Sequence, residues 1–390
     1  MRTFFRILAW IFILLLISGV VLSITYLLER PIIEGVYALV GIFSLWLGIV
    51  MIRKAIIRYR AKSQVQNLLN SENPSDQHDD LGMTSSQLKK SLSGRWNQTI
   101  RALKRSQLKS QGDPLYVLPW YMIFGRPASG KSTSLRNAKL LLPSIDLSSK
   151  EDGSTLNLEW WLHEEGIIID TAGRYAVPDK LERDRKEWNQ ILSMLSRHKQ
   201  KEPLNGLVLV VAANRLLHCS EDELLEEGRQ VRNSINRMME KLEVKVPVYL
   251  MVTKSDLIPG FSEWAEYIPD ELKNQAMGYL NESESGDYDS IADTALDSVL
   301  DRLKEVRLLM MEQTDSPSDA LLTLPKTMEE LRSGLHTFIR TALQGNAYQE
   351  APRFRGLYFS SSVHNDNGET VRDGMFLHDF FTKILPPDRG

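Results

Sequence analysis

The segment that most restricts the fold of this chain is an eight-residue loop bounded by glycines, GRPASGKS, at residues 125–132. The apolar run 120–124 precedes it and a helical pattern at 133–142 follows it. A strand, such a turn and a helix start form a cradle for phosphate groups, because backbone N–H groups point at the anion. We call residues 125–132 the glycine loop. The alternative is an accidental match in an ordinary loop.

The glycine loop assigns chemistry to particular side chains. Lys131 would carry positive charge to the phosphates, and Ser132 would hold Mg²⁺ through its hydroxyl. We expect contacts to a nucleotide from the whole loop and the residue after it: Gly125, Arg126, Pro127, Ala128, Ser129, Gly130, Lys131, Ser132 and Thr133. The predicted cofactors are GTP or ATP together with Mg²⁺.

A second motif places an acidic residue at the end of another apolar strand. Residues 167–173 read IIIDTAG, so Asp170 is followed by x-x-Gly. In this pattern the carboxylate binds Mg²⁺ through water and the N–H of Gly173 senses a γ-phosphate. An aspartate that merely caps a turn is the alternative. The position about 40 residues after the glycine loop favours the nucleotide interpretation.

Two further residues complete the predicted catalytic group. Arg174 stands where many GTPases have a glutamine that orients water. Arginine can stabilise phosphate charge but cannot accept a hydrogen bond from water, so we expect slow hydrolysis or activation by a partner. Lys131, Asp170 and Arg174 are the catalytic candidates, and Thr155 is a candidate third ligand of the metal beside Ser132 and Asp170.

A third motif, Thr253-Lys254-Ser255-Asp256, follows another apolar run. In GTPases the lysine stem of such a motif lies along the base, and the aspartate accepts two hydrogen bonds from guanine. We therefore assign Thr253, Lys254 and Asp256 to the base, with ATP left open as the alternative. Thr171, which follows the strand aspartate, argues against the stacked-ring class of ATPases, which have an acidic residue there.

The N-terminal region contains two long uncharged runs, residues 7–28 and 35–52. The first would span about 33 Å as a helix, enough to cross a hydrocarbon core of about 30 Å. Basic residues flank the outer ends of both runs, which predicts that both ends lie in the cytoplasm. A cleaved signal peptide and a buried helical hairpin are the alternatives, and both fit poorly.

Apolar runs then alternate with helical patterns, which is typical of an α/β domain with a mostly parallel sheet. We predict a hairpin from strands 156–162 and 166–170, strands at 206–212, 246–253 and 356–362, and helices at 184–197 and 221–242. Residues 261–349 show helical patterns and no convincing strand. The predicted fold is α/β: a GTPase-like P-loop NTPase with an all-helical insertion, preceded by a two-helix transmembrane hairpin.

The predicted domain boundaries follow from these patterns. They are a transmembrane hairpin at 1–62, a polar linker with a basic amphipathic helix at 63–112, an NTPase core at 113–260, a helical insertion at 261–350, and the last strand and helix of the core at 351–390. The basic helix, at 87–108, either contacts anionic lipid or packs on its own domain, and we favour packing. Trp160 and Trp161 are expected to pack in the core and at the strand edge.

Composition excludes some other classes. The net charge of −3 and the absence of a basic patch interleaved with aromatic residues argue against nucleic-acid binding. Cys219 is the single cysteine, so no intramolecular disulfide can form.

Together these motifs resemble the cytoplasmic, N-terminal part of the IcmF/TssM family, inner-membrane proteins of type VI secretion systems with relatives in type IVB systems. Two adjacent spans precede the glycine loop, as in that family. Further stretches carry the resemblance: Trp160-Trp161, IIDTAGRY at 168–175, PLNG at 203–206, TKSDL at 253–257, Gly260-Phe261 and RGLYFSS at 355–361. Arg174 itself matches the family.

The resemblance implies a multi-pass scaffold of the bacterial inner membrane whose NTPase domain is cytoplasmic. Its expected partners are a TssL-like inner-membrane protein, a TssJ-like outer-membrane lipoprotein, baseplate components, the lipid bilayer and further copies of itself. The family continues with a third span and a periplasmic domain that would contact the lipoprotein. The chain ends at Gly390, so we expect either a part of a longer protein or a short family member.

Three functions remain open at this point. The leading one is a nucleotide-dependent regulator of secretion-channel assembly. The second is a structural scaffold with a vestigial nucleotide site. The third is a membrane-tethered targeting GTPase, like a signal-recognition-particle receptor subunit, against which the helical insertion and the two-span anchor argue.

Overall fold

The computed structural model describes residues 85–110, 112–140, 158–178, 181–282, 288–313, 319–345, 350–362 and 374–388. These residues belong to one unit of the chain, Met83–Gly390. The predicted spans at 7–28 and 35–52 and the metal candidate Thr155 lie outside the described residues. Among the helices described, none is both long and apolar enough to cross a bilayer.

The described chain forms a mixed sheet whose strands are mostly parallel. The strands are β1 Trp120–Gly125, β2 Leu158–His163, β3 Gly166–Thr171, β4 Gly206–Ala212, β5 Pro247–Thr253, β6 Met277–Leu280 and β7 Arg353–Phe359. Their order is β2-β3-β1-β4-β5-β7-β6, with β2 and β6 antiparallel at the two edges and the central five parallel. This confirms the predicted α/β class and the return of a last strand, β7, to the sheet.

The central strands form where the sequence is continuously apolar. Every residue of β4 and β5 is buried, as expected for strands covered on both faces. Side chains of β1 alternate between two core clusters, with Met122 in the larger and Ile123 in the smaller. Because parallel strands end at the same edge, this arrangement carries the ends of β1, β3 and β5 to one side of the sheet.

Helices cover both faces of the sheet. They are α1 Ser85–Arg105, α2 Lys131–Asn137, α3 Leu181–His198, α4 Ala213–His218, α5 Glu221–Leu242, α6 Phe261–Glu266, α7 Asp270–Lys273, α8 Tyr288–Gln313, α9 Asp319–Glu329 and α10 Leu331–Leu343. The larger core cluster takes residues from α1, α3, α5, α8 and α10. The smaller takes residues from α2 and from a C-terminal segment that includes a short π-helical turn, Phe380–Ile384.

Two local predictions need correction. The segment 261–350 is not all-helical, because Met277–Leu280 forms β6 and pairs antiparallel with β7. A four-residue strand that contains glycine and is half-buried has too short a pattern to be recognised, and its pairing with β7 is a tertiary contact. The helix after the glycine loop begins at Lys131 and ends at Asn137, earlier than the predicted 133–142.

The basic amphipathic helix packs on its own domain, as favoured above. In α1 the apolar residues Leu92, Trp96, Ile100 and Leu103 are all buried. The Trp96 ring lies 4.9 Å from that of Trp160 in β2, and its indole N–H donates to Nδ1 of His198 at 3.2 Å. The expectation that Trp160 packs in the core is also confirmed.

The packing of α1 predicts a large effect of truncating its central aromatic residue. Trp96→Ala should lower the free energy of unfolding by about 3–5 kcal/mol, because it leaves a cavity against Trp160. Chemical denaturation of the purified chain followed by far-ultraviolet circular dichroism measures this. The exposed neighbour Asn97, changed to alanine, is the control. Equal stability of the two variants would show that α1 does not pack as described.

Candidate nucleotide-binding site

The glycine loop follows β1 directly and leads into α2. Gly125 has φ 153°, and a Cβ there would lie 2.3 Å from the carbonyl oxygen of Val210, so any side chain would displace the neighbouring strand β4. Ala128, with φ 57°, and Gly130, with φ 92°, also adopt positive values. These dihedral angles bend the backbone into the tight turn that the motif predicts, with Pro127 and Ala128 at its exposed tip.

Lys131 lies inside this turn. Its ammonium is largely buried and donates to the carbonyl oxygens of Gly125 at 2.9 Å and Arg126 at 2.8 Å. Burial lowers the pKa of Lys131 from 10.5 to about 8, while the Asp170 carboxylate opposes that shift. The main-chain carbonyl groups of the loop therefore hold the Lys131 ammonium. An anionic ligand can replace such carbonyl groups as the hydrogen-bond acceptors of the ammonium.

Ser132 and Asp170 come together although 38 residues separate them in the chain. The Ser132 hydroxyl donates to Oδ2 of Asp170 at 2.5 Å, and Asp170 is fully buried at the end of β3. The pairing of Ile123 with Asp170 between β1 and β3 sets this distance. A hydroxyl and a carboxylate are hard oxygen ligands of the kind Mg²⁺ prefers, so this pair fits the predicted metal.

The segment after Asp170 lies directly on the glycine loop. We call residues 170–173 the switch segment. A Cβ on Gly173 would lie 2.1 Å from the backbone nitrogen of Pro127, so only glycine permits this approach. The Thr171 hydroxyl donates to the Ile123 carbonyl at 2.8 Å and fixes the start of the segment. Two of the three sequence motifs are therefore in contact.

Arg174 points its guanidinium at α3 rather than at the glycine loop. It donates to Oε2 of Glu187 at 2.9 Å and lies 3.5 Å from Oδ1 of Asp184. The guanidinium carbon is 5.0 Å from the centre of the Tyr175 ring. In this arrangement its charge is balanced by the two acids of α3, and its predicted role in hydrolysis stays a prediction.

The third motif supports the glycine loop from the other side. The Thr253 hydroxyl donates to the Ser129 carbonyl at 2.5 Å. Lys254 adopts a left-handed conformation, with φ 56°, and Asp256 follows in a short 3₁₀ turn, Ser255–Leu257. Thr133 lies half-buried in the first turn of α2. All predicted site residues except Thr155 are thus described, and the three motifs form one contiguous group.

Two residues of this group carried no recognised signal in the sequence. The Ser361 hydroxyl, in the loop after β7, donates to Oδ1 of Asp256 at 2.8 Å. Buried Glu227 of α5 accepts from Arg126 at 3.2 Å and from Arg215 at 2.9 Å. The Arg126 side chain therefore contacts α5. Its backbone carbonyl, not its charge, contacts Lys131.

The hydroxyl of Thr253 should matter more than its methyl group. Thr253→Val leaves the buried Ser129 carbonyl without this donor and should lower the free energy of unfolding by about 1–3 kcal/mol. Thr253→Ser keeps the hydroxyl and is the matched control. Denaturant titration of both variants tests this. A serine variant as unstable as the valine variant would assign the effect to packing instead.

Comparison with known proteins places these residues in a family. Residues 181–390 match the IcmF-related N-terminal domain. The type VI secretion system component TssM1 of Pseudomonas aeruginosa is 31% identical over 284 residues, which cover 70% of this chain and 26% of that protein. The chain therefore spans about a quarter of the length of this curated relative.

Solved structures give weaker likenesses. A signal recognition particle receptor complex from Chaetomium thermophilum is 20% identical, covers 36% of this chain and 71% of its own, and has a TM-score of 0.25. A GDP-bound variant of NFeoB from S. thermophilus is 14% identical, covers 57% of this chain and 99% of its own, and has a TM-score of 0.24. Because both TM-scores are this low, these two likenesses give no support to the fold beyond the strand order described above. Because the match to the IcmF-related N-terminal domain covers more than half of its residues, the chain belongs to the IcmF-related family.

Proposed function

We propose that this domain binds a Mg²⁺-nucleoside triphosphate, GTP or ATP, hydrolyses it slowly, and uses the bound state to regulate a secretion complex. The observation that carries the proposal is the contact between Ser132 and Asp170. It joins a glycine loop to a strand-end carboxylate, with the buried Lys131 ammonium beside them. These are the groups that phosphate and magnesium require.

Each residue of the site has a proposed role. Lys131 would exchange the carbonyls of Gly125 and Arg126 for phosphate oxygens. Ser132 and Asp170 would hold the metal, and the backbone N–H of Gly173, already against the loop, would sense a terminal phosphate. Lys254 and Asp256 would contact the base. The bound triphosphate supplies the bond that is cleaved.

The family relationship sets the context of the proposal. The relative named TssM1 is a type VI secretion system component, and we extend that role to this chain. The chain would then act as a scaffold in the bacterial inner membrane, anchored by the spans predicted at 7–28 and 35–52. Its proposed partners are TssL-like and TssJ-like proteins, the baseplate, and further copies of itself.

Within the described domain, the β2–β3 hairpin connects the switch segment to α1. In the β2–β3 hairpin, Trp160 pairs with Ile169, the residue before Asp170. Trp160 in turn packs against Trp96 of α1, the first described element after the predicted spans. In the proposed function, a shift of the switch segment would reach α1 through the pairing of β2 with β3 and the contact between Trp160 and Trp96.

Lys131 is the residue whose loss tests the proposal most directly. Lys131→Ala should weaken nucleotide binding by about 10–100-fold, because it removes charged hydrogen bonds to phosphate. Arg136→Ala, which removes an exposed positive charge from the same helix, is the matched control and should bind normally. Calorimetry on the full chain with GTP and with ATP measures both. Wild-type protein that binds neither nucleotide at millimolar concentration with Mg²⁺ would refute the proposal.

The same variant separates a regulator from a scaffold with a vestigial site. If nucleotide regulates assembly, cells that carry Lys131→Ala at normal protein levels should lose export of secreted substrates, and cells with Arg136→Ala should not. Unchanged export with the lysine variant would leave the scaffold role and remove the regulatory one.

Arg174 provides a test of the chemical step. To stabilise phosphate charge its guanidinium must leave Glu187 and Asp184, so Arg174→Ala should lower the hydrolysis rate about tenfold or more with little change in affinity. Arg183→Ala removes the other arginine paired with Glu187 and controls for damage to α3. Single-turnover hydrolysis compares them, and equal rates would assign Arg174 a purely structural role.

A further inference from the structure

Two acids in the first two turns of α3 hold the arginine that follows the switch segment. Nη2 of Arg174 donates to Oε2 of Glu187 at 2.9 Å, and its Nε lies 3.5 Å from Oδ1 of Asp184. The same Glu187 oxygen accepts a hydrogen bond from the Tyr175 hydroxyl at 3.2 Å. We call Asp184 and Glu187 the acidic pair.

The acidic pair is fixed, whereas the arginine has a way out. The side chains of Asp184 and Glu187 are 3% and 12% exposed, so water weakens their attraction for the guanidinium only a little. They stand on a helix that Trp188 ties to α5, since its indole N–H donates to the Ser234 carbonyl at 3.1 Å. The Arg174 side chain is 21% exposed, and it is therefore the member of the group that can move.

The backbone places Arg174 within reach of both the acidic pair and the glycine loop. Gly173 lies directly against Pro127, and the Cα of the next residue, Arg174, is about 3.8 Å further along the chain. A phosphate group in the glycine loop would therefore compete with α3 for the same guanidinium. While Nη2 donates to Glu187, that donor and its charge are used by the acid.

The acidic pair can release Arg174 without leaving Glu187 unpaired. Nε of Arg183 donates to Oε1, the other carboxylate oxygen of Glu187, at 3.0 Å. After release, this second arginine would still neutralise Glu187. A nearly buried carboxylate with no cation beside it would be strongly destabilising, so Arg183 makes a second position of Arg174 accessible.

We propose that the contact between Arg174 and Glu187 is autoinhibitory and keeps the hydrolysis of the bound nucleotide slow. Arg174 would act on phosphate only in the minor population of molecules in which it has left α3, and the rate would follow the size of that population. The inference rests on the proposed function and adds its regulation. An activating partner need contribute no side chain to the reaction, because moving α3 or the 3₁₀ turn Gly173–Tyr175 would be enough.

The experiment is single-turnover hydrolysis of GTP and of ATP by the full chain with Mg²⁺. Glu187→Gln keeps the shape of the side chain and removes its charge, so it should raise the rate about tenfold and leave nucleotide affinity unchanged. Glu182→Gln makes the same change at an exposed acid of the same helix and should match the wild type. A gain of rate cannot come from a variant that merely unfolds.

A double variant shows whether the gain passes through the arginine. Glu187→Gln combined with Arg174→Ala should hydrolyse no faster than Arg174→Ala alone, because no guanidinium remains to be released. An unchanged or lower rate in Glu187→Gln, or the same acceleration in the double variant, would overturn autoinhibition and leave nucleotide binding standing. Failure of the wild type to bind either nucleotide would instead overturn the proposed function itself.

Discussion

Parallel pairing of β1 with β3 is the constraint on which the candidate site depends. It places Ile123 beside Asp170 and so brings the strand-end carboxylate within 2.5 Å of the Ser132 hydroxyl. The loops that leave these two strands then meet, and Gly173 approaches Pro127 more closely than any other residue type could. A change of register by one residue would turn Asp170 to the opposite face of the sheet and separate the motifs.

Burial gives the charged groups of the site their chemical character. Lys131 and Glu227 are nearly inaccessible, and each is stabilised by partners, the lysine by two carbonyls and the glutamate by two arginines. A buried charge that lost all its hydrogen-bond partners would strongly destabilise the fold. A ligand that displaces those partners must therefore supply equivalent ones. Under the proposed function, phosphate oxygens would replace the two carbonyls as partners of Lys131, and ligand binding would then depend on the conformation of the loop.

Most of the fold followed from local pattern. The fully buried strand at 206–212 and the helix at 221–242 have the predicted bounds, because a continuous apolar run and a capping serine with glutamate three residues later are strong local signals. The β2–β3 hairpin was also predicted, with its two-residue turn after His163. The four-residue strand β6 was missed, since its conformation depends on the edge of β7 rather than on its own residues.

The sequence predicted which residues belong to the candidate site better than it predicted the contacts between them. Several parts of the site can be recognised in the sequence because their chemistry needs particular residues at fixed spacing. They are the glycine loop, Asp170, Gly173 and the Thr253–Asp256 motif. Ser361 and Glu227 do not, since a serine in a loop or a glutamate in a helix is ordinary until a distant partner lies beside it.

By itself the sequence determined the α/β class, the identity of the three motifs and the existence of a long apolar N-terminal region. The tertiary structure alone decided that Thr253 supports the glycine loop, that Arg174 lies among the acids of α3, and that Ser361 meets Asp256. The physical reason is the separation along the chain over which each kind of signal acts. Propensity and periodicity act between residues a few positions apart, whereas these contacts join residues brought together only by the order of strands in the sheet.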